Sequence, residues 1–190
     1  LGVLDTVSTT VKYFKGRGKE LGAYDFMSEP VLKRKGKSIR PPLWPDMLEK
    51  IAKIVKTSDP KRWLVVSPGP WGGAGGYSSY LPQFEQRIIW GAHMYFPHRF
   101  THQGIGSKRN KPEEYPGWVN SKYWDKEALE KFFRNLRNLE QEHGTPVMIG
   151  EFSTVRWAKG GEQYIKDLVL IFDKYDWGWS YFSGSGWQGW

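Results

Sequence analysis

The chain has 190 residues, 39% hydrophobic and 16% aromatic, enough to bury the core of one domain spanning residues 1–190. It has no cysteine, which excludes a disulfide framework, a thiolate metal site and a cysteine nucleophile. The net charge is +8, and no apolar run approaches the roughly 18 residues that suggest a membrane span.

The chain opens Leu1-Gly2-Val3-Leu4-Asp5, without the basic region and long apolar core of a secretion signal and without an initiator methionine. This is the expectation for a processed chain or for part of a longer product. Leu4, Val7, Val11 and Phe14 fall at helical spacing, so a helix is predicted over 3–15, stopped by Gly16-Arg17-Gly18. Leu21 to Met27 reads as a buried strand, closed by Ser28-Glu29-Pro30; Pro30 pushes Glu29 toward an extended conformation at the strand's C-terminal lip. A basic run follows, from Lys33 to Arg40. Such a run can contact a polyanion, but without a recognised binding motif it reads as a solvated loop, and no nucleic-acid partner is expected.

Trp44, Met47, Leu48, Ile51, Ile54 and Val55 share one stripe of a helix over 44–57, with Pro45 near its start. Trp63 to Ser67 is the next strand. The glycine-rich segment 68–76 lacks the Lys-Ser/Thr of a phosphate loop and reads as a flexible surface loop carrying Trp71. Ile88 to Tyr95 is a strand whose alternation puts Ile89, Gly91, His93 and Tyr95 on one face. A long loop follows to about Tyr123, and loops of that length are often functional. Asp125 caps a helix striped by Leu129, Phe132, Phe133, Leu136 and Leu139, which Gly144 ends. A strand opened by Pro146 runs to Glu151. Tyr164 to Tyr175 is helical, and Trp177 to Phe182 is the last strand.

Alternating strands and helices predict a parallel sheet covered by helices. A buried strand has no routine use for an unpaired carboxylate, so Glu151 at a strand end is a functional candidate. Glu29 ends a second strand in the same way, and a third ends in His93-Met94-Tyr95. Acids and polar groups gathered at C-terminal strand ends resemble the active rim of a (β/α)₈ barrel. Two facing carboxylates suit glycoside hydrolysis, in which one protonates the departing oxygen and the other attacks the sugar or activates water. His93, His98 and His102 also invite a metal reading, but their spacing matches no ligand motif, and no metal is assigned.

Tyr24-Asp25-Phe26-Met27-Ser28-Glu29-Pro30, His93-Met94-Tyr95, Ile149-Gly150-Glu151-Phe152 and a tryptophan-rich final strand occur in one order along the chain. In this the sequence resembles family 5 glycoside hydrolases, cellulase-like retaining enzymes, over what would be barrel strands 4 to 8. The resemblance implies an α/β, partial TIM-barrel fold of about five parallel strands, with Glu29 as general acid/base and Glu151 as nucleophile. It also implies substrate contacts from Ser28, His93, Tyr95, Trp71, Trp179 and Trp187, with Trp118 and Trp157 as further candidate platforms. It implies a β-linked polysaccharide substrate, cleaved as by an endo-β-1,4-glucanase, a secreted location and no cofactor or membrane partner.

Three departures qualify it. Ser28 stands where the family has an asparagine that bonds the sugar's 2-hydroxyl, and Phe182 where many members have tryptophan. A complete barrel typically needs about 250 residues. Five strands leave two open edges, so the expectation is upstream sequence, a partner chain or a shortened barrel, with self-association if the chain is complete. The alternative function is a non-catalytic carbohydrate-binding remnant.

Overall fold

The computed structural model describes residues 2–17, 20–78, 84, 87–105, 112–183 and 189. Helix α1 (Val3–Phe14) buries Val7 and Val11, the inward positions of its apolar stripe. Strand β1 is only Ala23–Tyr24, shorter than the seven residues expected. It has a neighbour on one side alone, so Asp25 to Pro30 leave the ladder and form the rim. The basic run forms an antiparallel hairpin rather than a loop, β2 (Leu32–Arg34) and β3 (Lys37–Ile39). Its turn is Lys35-Gly36, both at positive φ (48° and 75°).

Helix α2 (Trp44–Ser58) buries Trp44, Leu48, Ile51, Ala52 and Val55. The Trp44 indole N–H donates to the Ser67 carbonyl at 3.0 Å, pinning the helix start to the end of β4 (Trp63–Val66). A 3₁₀ helix, Ala74–Ser78, precedes β5 (Ile88–Met94). The long connection after β5 is structured in part: it holds a helical turn, α3 (His98–Thr101), and a hairpin, β6 (Gly117–Val119) with β7 (Lys122–Trp124).

Asp125 caps as expected, its carboxylate accepting from the Ala128 N–H at 2.8 Å. The helix it starts is divided at Phe133 into α4 (Lys126–Phe132) and α5 (Arg134–His143), and Gly144 ends it in the left-handed region. Strand β8 (Val147–Phe152), α6 (Gly161–Lys174) and β9 (Gly178–Trp179) complete the chain order. The last strand is two residues, not six. Like β1, it pairs on one side only.

The main sheet runs β1-β4-β5-β8-β9, every pairing parallel and every neighbour the next in sequence. Helices cross between strands on one side, so the sheet curls in a single direction into half a barrel. Tyr164, Leu168, Ile171 and Phe172 of α6, with Phe133 and Leu136, are fully buried against Trp90, Ile149 and Phe152. One irregularity bears on function. Ala92 pairs with Ile149 but His93 with Glu151, so Gly150 is an extra residue in β8. Without this bulge the period-two alternation would turn Glu151 to the same side as the buried Val147 and Ile149. The bulge instead sets Glu151 beside His93.

Candidate active site

The site grows from this register. His93 is 4% exposed, and its Nδ1 lies 2.9 Å from Glu29 Oε1 and 3.6 Å from Glu151 Oε2. The Tyr95 hydroxyl donates to Glu151 Oε2 at 2.9 Å. Both carboxylates are part-exposed, 35% for Glu29 and 27% for Glu151, so each can meet a ligand while its back is held. One oxygen from each carboxylate and a ring nitrogen of His93 lie within 4.8 Å of one another. These three side chains could hold a metal ion; the same set can move protons and attack a substrate without one.

Burial, then the charge of Glu151 and its hydrogen bond, push the Tyr95 hydroxyl well above the usual phenol range. Tyr95 therefore stays a proton donor to Glu151 at neutral pH. Asp25 is exposed, yet neighbouring atoms partly shield its carboxyl from water. That desolvation raises its carboxyl above the usual range, against a lowering hydrogen bond from the Met27 backbone.

The glycine-rich segment is not the flexible loop expected. The Gly72 carbonyl accepts from the His93 N–H at 2.8 Å, and Gly73 forms a bridge to His93. Ala74 and Tyr77 are buried. Gly72 has φ +62°, and a Cβ there would come within 2.4 Å of the Ser28 carbonyl oxygen, so only glycine lets this segment close on the rim. Trp71, at φ 62°, is a non-glycine residue in a sparsely populated region, held by this packing and 44% exposed.

A cavity of about 730 Å³ is lined by Glu29, Trp71, His93, Tyr95, Phe96 and Glu151, with His98, His102 and Phe182 on its wall. The structure thus brings together five of the sequence candidates: Glu29, Glu151, His93, Tyr95 and Trp71. Ser28 and Trp179 do not line the cavity. Ser28 turns its carbonyl behind Gly72. Trp179 packs on Phe152, and its indole N–H points to Asp173 of the outer helix α6. Trp187 lies outside the described residues. Trp157 is tied to the Gln103 carbonyl at 2.8 Å, and Trp118 is 68% exposed on the β6–β7 hairpin. His98 and His102 are stacked at 3.7 Å rather than gathered around His93. Sequence reasoning missed Phe96, the Asp25 carboxyl and the bulge; Gly150 inside an apolar strand was the available sign of the bulge.

A family model described as cellulase (glycosyl hydrolase family 5) matches residues 9–187. This chain belongs to glycosyl hydrolase family 5. The family 5 chain is 23% identical to Endoglucanase H of Acetivibrio thermocellus over 145 residues, 76% of this chain and 14% of that protein. Its fold matches subunit Z of the clostridial cellulose synthase from Clostridioides difficile with TM-score 0.77 and 18% identity, over 97% of this chain and 60% of the other. It also matches a hyperthermophilic endo-β-1,4-glucanase solved with substrate, with TM-score 0.79 and 18% identity, over 97% of this chain and 58% of that one. The family 5 chain therefore spans less than two thirds of the length of these relatives.

Proposed function

We propose that this family 5 chain hydrolyses internal β-1,4 linkages of a glucan by a retaining double displacement. One observation carries the reading: Glu29 and Glu151 face one cavity with carboxylate oxygens within 4.8 Å, both in reach of His93. Retaining enzymes hold their carboxyl groups about 5–5.5 Å apart, whereas inverting ones leave room for a water at about 6.5–9.5 Å. An approach of one oxygen from each group to within 4.8 Å is compatible with the retaining arrangement.

In the first step a Glu151 oxygen forms a bond to the anomeric carbon while Glu29 gives its proton to the glycosidic oxygen, and the C–O bond breaks. The product is a glycosyl ester on Glu151 and a freed sugar hydroxyl. In the second step the Glu29 carboxylate takes a proton from water, the water oxygen attacks the anomeric carbon, and Glu151 leaves as carboxylate. The Tyr95 hydroxyl donates to Glu151 and orients it for attack. His93, buried between the acids, orients Glu29. Trp71 and Phe182 supply aromatic walls against which sugar rings stack. The reading extends to a secreted location, where such polymers occur, and to a second copy covering the open β1 and β9 edges. Among the described residues no helix is long and apolar enough to cross a membrane.

The test is hydrolysis of a soluble β-1,4-glucan, with the first-formed anomer followed by NMR. The β anomer is expected first, and an initial α anomer overturns retention. Glu151→Gln is expected to lower kcat on the order of 10⁴-fold or more. Glu29→Ala is expected to spare kcat/KM for aryl glycosides with acidic leaving groups, whose first step needs no proton from the enzyme, while kcat falls because the second step has lost its base. Glucan binding without turnover in the parent protein would favour the carbohydrate-binding remnant.

A further inference from the structure

The basic run is not absorbed by the chemistry above. It folds as the β2–β3 hairpin immediately after Pro30, on the rim that carries Glu29. Its Lys33 ammonium lies over the Trp71 ring, 4.9 Å from the centroid, and donates to Ser38 Oγ at 2.6 Å. That bond uses one of three ammonium N–H groups, which leaves donors for a ligand. Trp71 in turn lines the cavity that holds both carboxylates. Lys33, Arg34, Lys35 and Lys37 are all exposed, and none has an ion-pair partner among the described residues. Four cations without counter-charge on one small hairpin, in a chain of net charge +8, are an anion-reading surface at the mouth of a sugar cleft. A neutral glucan offers them nothing to neutralise. A glycan with carboxylate groups does, and its uncharged neighbouring rings still have Trp71 to stack on.

We propose that the β2–β3 hairpin and Trp71 form a subsite for carboxylate-bearing β-linked glycans, which the cleft takes in preference to neutral ones. The inference rests on the glycosidase reading for the sugar half of the ligand, and on the hairpin for the charge. A carboxylate on the sugar held at Trp71 pairs with Lys33, while the next charges along the polymer meet Arg34, Lys35 and Lys37. The residue at the point of cleavage meets the Glu29 and Glu151 carboxylates that line the same cavity, so it is the one best left uncharged.

The experiment compares the affinity of the full chain carrying Glu151→Gln for carboxymethyl and hydroxyethyl β-1,4-glucans by affinity electrophoresis. The carboxylated polymer is expected to bind several-fold tighter at about 0.05 M NaCl, and the preference should shrink at about 0.5 M as screening sets in. Lys33→Gln is expected to lower the preference roughly threefold, the usual scale for an exposed ion pair. Adding Arg34→Gln, Lys35→Gln and Lys37→Gln should abolish it, with a thermal melt reporting that the variants fold. Equal affinity for the two polymers at low salt overturns the inference and leaves the glycosidase reading standing. Binding to neither sinks both. Displacement of the carboxylated glucan by single-stranded DNA at equal charge concentration overturns the inference in favour of nucleic acid.

Discussion

Glu151 and Glu29 occupy opposite kinds of scaffold. Glu151 sits in a six-residue strand paired on both sides, next to Phe152 and Ile149, which are fully buried. Glu29 lies five residues beyond a two-residue edge strand, on chain that has already left the sheet. The first carboxylate is placed by the ladder and its bulge. The second is placed by what touches it: the His93 ring at 2.9 Å, and the Gly72 backbone closing behind Ser28. In a half-barrel the Glu151 side is pre-arranged by the fold, and the Glu29 side depends on loop packing. His93 joins the two, because its backbone holds the 72–73 segment while its ring meets both acids.

The sharpest way to break this contrast is Gly72→Ala. The new Cβ must displace the Ser28 carbonyl or the 72–73 backbone, so Glu29 moves while Glu151 stays. An activity loss of about 10²-fold on substrates needing acid assistance is expected, from a shift of about 1 Å. In kcat/KM, which reports the first step, aryl glycosides with acidic leaving groups should lose far less; an equal loss on both would mean that Glu151 had moved too. Next in size, Tyr95→Phe removes the hydrogen bond to Glu151 Oε2. The bond is to a charged acceptor, and its loss should lower kcat roughly tenfold with little change in melting temperature. A large fall in stability instead would make Tyr95 a packing residue.

The smallest effect concerns pH. Burial raises the Asp25 carboxyl above its ordinary value of 3.8, so the folded chain keeps that proton where the unfolded chain has released it. Its contribution to stability is full below the unfolded pKa and is lost as pH rises through the folded one. Asp25→Asn should therefore gain stability relative to the parent across that rise, seen in urea melts over a pH series. Parallel profiles would show that the Asp25 carboxyl is fully hydrated in the folded chain.

Much of the fold was legible because helices and central strands depend on local periodicity. The stripe of residues 44–57 buries Trp44, Leu48, Ile51 and Val55, with Met47 and Ile54 partly buried, and both this helix and the strand expected at 146–151 appear within one residue of expectation. The edge strands were overestimated for the same reason: Leu21 to Met27 and Trp177 to Phe182 are apolar enough to be strands, but a strand with one neighbour loses its ladder early. The platform assignments fared less evenly. Trp71 lines the cavity, whereas Trp179 faces α6, because tryptophan content says nothing about which side of a two-residue strand a ring leaves from.

The order of motifs along 190 residues carried the family and the parallel alternation and picked out the two carboxylates that share the cavity, since each rests on residue type and local spacing. Only the tertiary structure decided that Gly150 is a bulge that brings Glu151 beside His93, and that a glycine-rich segment is packed rather than loose. It also set a basic run over the Trp71 ring. Those are relations between residues 20 to 58 positions apart (Gly73 and His93, Lys33 and Trp71, His93 and Glu151), set by register and close approach of chain segments, and neither quantity is written in any local window of sequence.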